Sequence, residues 1–128
     1  MTFKEFKEKY AEIFAFVFGV TRDNEAVFYY LPTILIDEEE FNLLFTNNTF
    51  RDSVNSKHVL KKATIINAVS MEELGKLEGE NYGYKAETFL FGSPNYTNSL
   101  IDGYLQGYPV QVKTSFDFGN GTSNSNNI

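Results

Sequence analysis

The pair Gln106-Gly107 separates two runs of β-forming residues, 99 to 105 (SLIDGYL) and 108 to 114 (YPVQVKT). A two-residue turn at this point fixes the register of a hairpin. Leu105 then faces Tyr108, Tyr104 faces Pro109, Gly103 faces Val110, and Asp102 faces Gln111. Side chains alternate between the two faces of a strand. One face is therefore expected to carry Ile101, Leu105, Val110 and Val112 into a core. The other gathers Asp102, Gln111 and Lys113. Directly opposed side chains lie about 5 Å apart at Cβ, close enough for two oxygen ligands to share one hard cation such as Mg²⁺. Lys113 beside them could hold a water or neutralise a phosphate. The competing reading is a wet strand face with no chemistry.

The chain has 128 residues, 42% of them hydrophobic and 16% aromatic, which suits one globular domain with a core. It contains no cysteine, so disulfides and thiolate ligands are excluded, and this fits a cytoplasmic setting. His58 is the sole histidine; beside lysines and without a carboxylate to orient it, it makes a poor general base. The formal net charge of −6 argues against a broad grip on phosphates. No run of about 20 apolar residues is present to cross a membrane.

Upstream, the spacing of Phe3, Phe6, Tyr10, Ile13, Phe14 and Val17 predicts a helix over 3–18, with Gly19 as its stop. A turn follows at 21–26. Residues 27–36 (VFYYLPTILI) are rich in β-formers but contain Pro32, which predicts an edge strand or two short pieces. Asp37 and Glu40 have capping-box spacing at the start of a second helix. The acidic run 37–40 reads as charge favoured by a helix N-terminus rather than as a metal site. Arg51, Lys57, Lys61 and Lys62 fall within twelve residues, either a phosphate-contacting stripe or a solvated flank. Residues 70–91 predict a long helix capped by Ser70, with Glu73, Glu80 and Glu87 on one face. Gly75, Gly79 and Gly83 along it either admit a close neighbour or break it.

The stretch IDGYLQGYPVQVKTS, Asp102 followed by Gln111-x-Lys113 on the next strand, resembles the signature of the PD-(D/E)XK nuclease superfamily. Gln111 stands where that family more often has glutamate. The resemblance covers residues 70–115, and the family's preceding helix carboxylate corresponds to Glu87 or, if the helix ends early, Glu80. It implies phosphodiester hydrolysis with Mg²⁺ or Mn²⁺ held by Asp102, the Gln111 oxygen and a helix glutamate, with Lys113 positioning the attacking water. Nucleic acid is then the partner, and Arg51, Lys57, Lys61 and Lys62 are candidate contacts.

The expected architecture is α+β (or α/β), with helices packed on a small mixed sheet that contains the C-terminal hairpin. One domain spans 1–115, its half 1–69 without an assigned role, and 116–128 forms a Gly-, Ser- and Asn-rich flexible tail. The alternative function is a small acidic binding protein, such as an inhibitor, an immunity protein or a phage accessory factor, acting on a protein partner without chemistry.

Overall fold

The computed structural model describes residues 2–10, 13–45, 58–97 and 100–116. The order is α1 (Phe3–Tyr10), β1 (Ala15–Arg22), β2 (Glu25–Pro32), a 3-10 turn (Thr33–Leu35), α2 (Glu38–Phe45), α3 (His58–Lys61), β3 (Thr64–Ser70), α4 (Met71–Gly75), α5 (Tyr82–Phe91), β4 (Gly103–Leu105) and β5 (Tyr108–Ser115). The five strands form one mixed sheet in the order β3-β2-β1-β5-β4. β1 and β5 run parallel; the other neighbours are antiparallel. The fold is α+β, with helices on both faces of the sheet.

The expected helix over 3–18 is two elements. α1 ends at Tyr10, and residues 15–22 form the central strand. Every residue from Phe14 to Phe18 is buried. A strand covered on both faces reads as a continuous apolar run, which periodicity alone does not separate from a helix. Phe14, Phe16, Phe18 and Val20 enter one core with Phe6, Phe41 and Val59. Ala15 and Val17 enter the other with Leu74, Ala86, Val110 and Val112. Gly19 ends no helix: a β-carbon there would lie 2.9 Å from the rings of Phe28 and Phe116.

β2 is not an edge strand. It lies between β3 and β1, and Pro32 closes it by ending the ladder opposite Ala15. The turn before it has positive φ at Asp23 and Asn24, the signature of a tight two-residue hairpin. The capping box at α2 is reciprocal. Asp37 N–H donates to Glu40 Oε1 at 2.9 Å, and Glu40 N–H donates to Asp37 Oδ1 at 2.9 Å.

The long helix expected over 70–91 is broken. Ser70 does cap α4, accepting from Glu73 N–H at 3.0 Å. Gly79 then adopts φ +146°, and Asn81 starts α5 by accepting from Tyr84 N–H. Lys85 Nζ donates to the carbonyls of Gly75 and Leu77, satisfying the end of α4 from α5. Glu73, Glu80 and Glu87 therefore share no helix face.

The hairpin has the expected register, Gly103 with Val110, Tyr104 with Pro109 and Leu105 with Tyr108. Gln106 and Gly107 both have positive φ, as a type I′ turn requires. Gly103 is held against α5, where a β-carbon would lie 2.6 Å from the Phe91 ring. Gly103→Ala is expected to cost about 1–3 kcal/mol through overpacking, read as a lower denaturant midpoint. Phe116, assigned to the tail from sequence, is 1% exposed and packs on Phe28 and Tyr82. The rest of the expected tail lies outside the described residues.

Candidate active site

Beyond Tyr108, β5 is not wet on either face. Gln111 and Lys113 lie in register with Phe16 and Phe18 of β1, and Val110 and Val112 with Ala15 and Val17. Because the sheet is covered on both sides, Gln111 and Lys113 are half-buried. Gln111 Oε1 is buried and has no hydrogen-bond partner among the described residues. Ile101 also departs from expectation. It packs with Leu100 against the core of Phe16 and Phe18, not with Val110 and Val112.

The reason lies at Asp102. Its N–H donates to the Val110 carbonyl at 2.8 Å, although Gly103 is the ladder partner of Val110. Two residues thus oppose one, a bulge-like slip that ends β4 and turns the chain. Val112 N–H would continue the ladder; instead it donates to Asp102 Oδ2 at 2.7 Å. The carboxylate therefore substitutes for a strand at the open edge of β5.

Glu87 approaches this edge from α5. It is 8% exposed, and its Oε1 accepts from Asn95 N–H at 2.8 Å. The Asn95 side chain donates in turn to the Ile101 carbonyl at 3.1 Å, tying the loop after α5 to the residue before Asp102. Burial pushes the Glu87 carboxyl above its ordinary value; the Asn95 N–H opposes this and the charge of Asp102 adds to it. Burial also raises Asp102, opposed by the Val112 N–H and the Lys113 charge. Lys113 is lowered by burial, with Asp102 acting against that shift. Burial thus disfavours the charged form of all three groups, and the charge of Asp102 acts on both Glu87 and Lys113, which makes this edge a candidate site.

Glu80 is not part of it. It precedes α5, is exposed, and its charge acts on Tyr96. Gln111 and Lys113 both stand on the opposite sheet face from the helix that carries Glu87, and Asp102 at the edge is the group whose charge acts on both Glu87 and Lys113. Of the basic stripe, only Lys61 and Lys62 lie among the described residues. Lys62 is committed to Glu40, with Nζ 2.9 and 3.0 Å from its two carboxylate oxygens. Lys61 is exposed; Arg51, Lys57 and the His58 side chain lie outside the described residues. The role of Asn95 carried no sequence signal, because only the folded loop after α5 brings it to Glu87.

A raised carboxyl pKa makes a testable demand on stability. The folded chain binds the Glu87 proton more tightly than the unfolded chain. The resulting stabilisation is complete below the ordinary value of 4.5 and is lost as pH rises through the elevated one. Glu87→Gln keeps an acceptor for Asn95 N–H and removes the charge. It is expected to raise the melting temperature near neutral pH in chelator, with the advantage fading below pH 4.5. Equal melting curves across that range would exclude a destabilising charge at Glu87.

Among the described residues no group of three or more His, Cys, Asp or Glu side chains is placed to hold a metal, and no helix is long and apolar enough to cross a membrane. No protein-family model matches the chain, and no match was found to a curated protein or to a solved structure.

Proposed function

We propose that the chain is a metal-dependent phosphodiester hydrolase whose centre is Glu87, Asp102 and Lys113. One observation carries this reading. Each of two neighbouring, desolvated carboxylates is anchored through one oxygen to a backbone N–H, Glu87 on Asn95 and Asp102 on Val112, which leaves one oxygen of each for a ligand. A pair of carboxylates suits Mg²⁺ or Mn²⁺, since Mg²⁺ is commonly held by one or two carboxylates with substrate phosphates and water completing its shell. The charge of Asp102 disfavours ionisation of Glu87, a strain that a cation would relieve.

When bound, the ion supplies Lewis acidity for a phosphoryl oxygen. The remaining work falls to the chain. Glu87 and Asp102 orient the ion through carboxylates that their backbone donors hold still. Lys113 forms no ion pair within 4.0 Å among the described residues, so its ammonium is available to position a water or to neutralise charge on the phosphate.

The test is incubation of the purified chain with plasmid DNA, single-stranded DNA and RNA, with Mg²⁺, Mn²⁺ or chelator. Metal-dependent cleavage is expected on at least one substrate. Intact substrates under all conditions, with no ion heat in calorimetry, would leave the second reading, a small acidic protein that binds a protein partner. That reading is favoured by β3, an edge strand exposed over most of its length, with Ile65 and Ile66 54% and 41% exposed.

A further inference from the structure

A cavity of about 330 Å³ opens at the turn end of the hairpin. Ile66, Leu90 and Leu105 give it apolar walls, and Tyr30, Tyr108, Asn67 and Gln106 give it polar groups. Among the described residues no charged side chain lines it. From this lining we infer that the cavity receives a nucleobase, so that the hydrolase acts on a strand with an unpaired base. The inference rests on the proposed hydrolase reading for the strand to which the base belongs.

The chemistry of the lining selects such a ligand. The two carboxamides can pair with the edge of a planar ring, each offering donor and acceptor atoms. Asn67 spends its Oδ1 on Ala68 N–H, which leaves its NH₂ group to donate. Among the described residues the Gln106 amide and the hydroxyls of Tyr30 and Tyr108 make no hydrogen bond. Burial raises the Tyr30 phenol, and Tyr108 raises it further, and both residues line the cavity. Tyr108 is 50% exposed at the rim and presents a stacking surface.

Position connects the cavity to the carboxylates. Leu90 lies three residues after Glu87 on α5, and residues at that spacing are neighbours on a helix surface. Leu105 lies three residues after Asp102, about 10 Å along an extended chain. A base held at the hairpin tip would therefore set its own strand beside the candidate site. The charge balance favours such a contact. A chain of net charge −6 cannot draw its affinity mainly from phosphates, and base stacking supplies affinity without many cations.

The experiment is fluorescence titration of the full chain with a short single strand carrying one 2-aminopurine, in chelator so that no cleavage intervenes. Saturable quenching is expected, weakened about tenfold or more by Tyr108→Ala, as loss of one stacked base implies. Ile66→Trp, which fills the cavity from an exposed strand, should weaken it comparably, and circular dichroism checks that both variants fold. An abasic strand of equal length should bind more weakly than the intact one. No saturable signal, equal affinity for the abasic strand, or folded variants that bind like wild type would overturn the inference. Cleavage without base binding would remove the cavity and leave the hydrolase. Base binding without cleavage would do the reverse.

Discussion

Asp102→Ala is expected to abolish metal-dependent cleavage, and Lys113→Ala is expected to lose cleavage while still binding the ion. Asp102 offers one oxygen to a ligand because the other is occupied by Val112 N–H. Removing the side chain takes away both a ligand and the cap on β5. Asp102→Asn is the companion variant: it keeps an acceptor for Val112 and loses the charge, so loss of cleavage in a folded Asn variant isolates the electrostatic role. Lys113 acts in the opposite sense. Its ammonium opposes a nearby cation, so Lys113→Ala should bind Mn²⁺ as well as or better than wild type. Its reaction rate should fall on the order of 10²–10³-fold, the usual worth of one group that stabilises transition-state charge. This split between affinity and rate separates a ligand from a group that acts on water or phosphate. If both variants cleaved like wild type, the centre would lie elsewhere.

Lys62→Ala is expected to destabilise the fold by about 3 kcal/mol, far more than a surface ion pair does. Glu40 is fully buried, whereas the Lys62 side chain is 35% exposed. Lys62 also donates to the Leu35 carbonyl at 3.2 Å, so it ties the start of β3 to the turn before α2. Truncating it removes the ammonium beside a buried carboxylate that also accepts from the backbone N–H of Asp37. Lys62→Ala with Glu40→Gln should recover part of the loss, because the neutral amide keeps the capping bond and needs no cation. The check is urea denaturation of the three variants. A midpoint for Lys62→Ala matching wild type would mean that water reaches Glu40 and screens it.

The hairpin and the caps were legible because their causes are local. A Gln-Gly pair adopts the two left-handed conformations of a tight turn, and the register follows by counting. Asp37 with Glu40, and Ser70 with Glu73, lie within one helical turn, so spacing was enough to locate them. The central strand was not legible. Phe14 to Phe18 are apolar at every position, and only burial between β2 and β5 makes them a strand. The break at Gly79 and Asn81 was half legible: the glycines marked a weak point, but Lys85 reaching back to α4 is a tertiary event.

The candidate site divides in the same way. By itself the sequence placed Asp102, Gln111 and Lys113 on the two strands of one hairpin, but the slip at Asp102 replaces its expected pairing with Gln111 by a bond to Val112 N–H. Only the tertiary structure decided which glutamate joins them. Glu87 does so because α5 packs on Val110 and Val112, whereas Glu80 falls before that helix. Only the tertiary structure decided, too, that Gln111 turns toward the core of Phe16 while Asp102 stays at the edge. Cross-strand pairing sets neighbours, but whether a strand face is open or covered depends on elements far away in the chain. Here α5 packs on β4 and β5 and β1 borders β5, so elements distant in the chain set the burial that shifts the ionisation of Asp102 and Lys113.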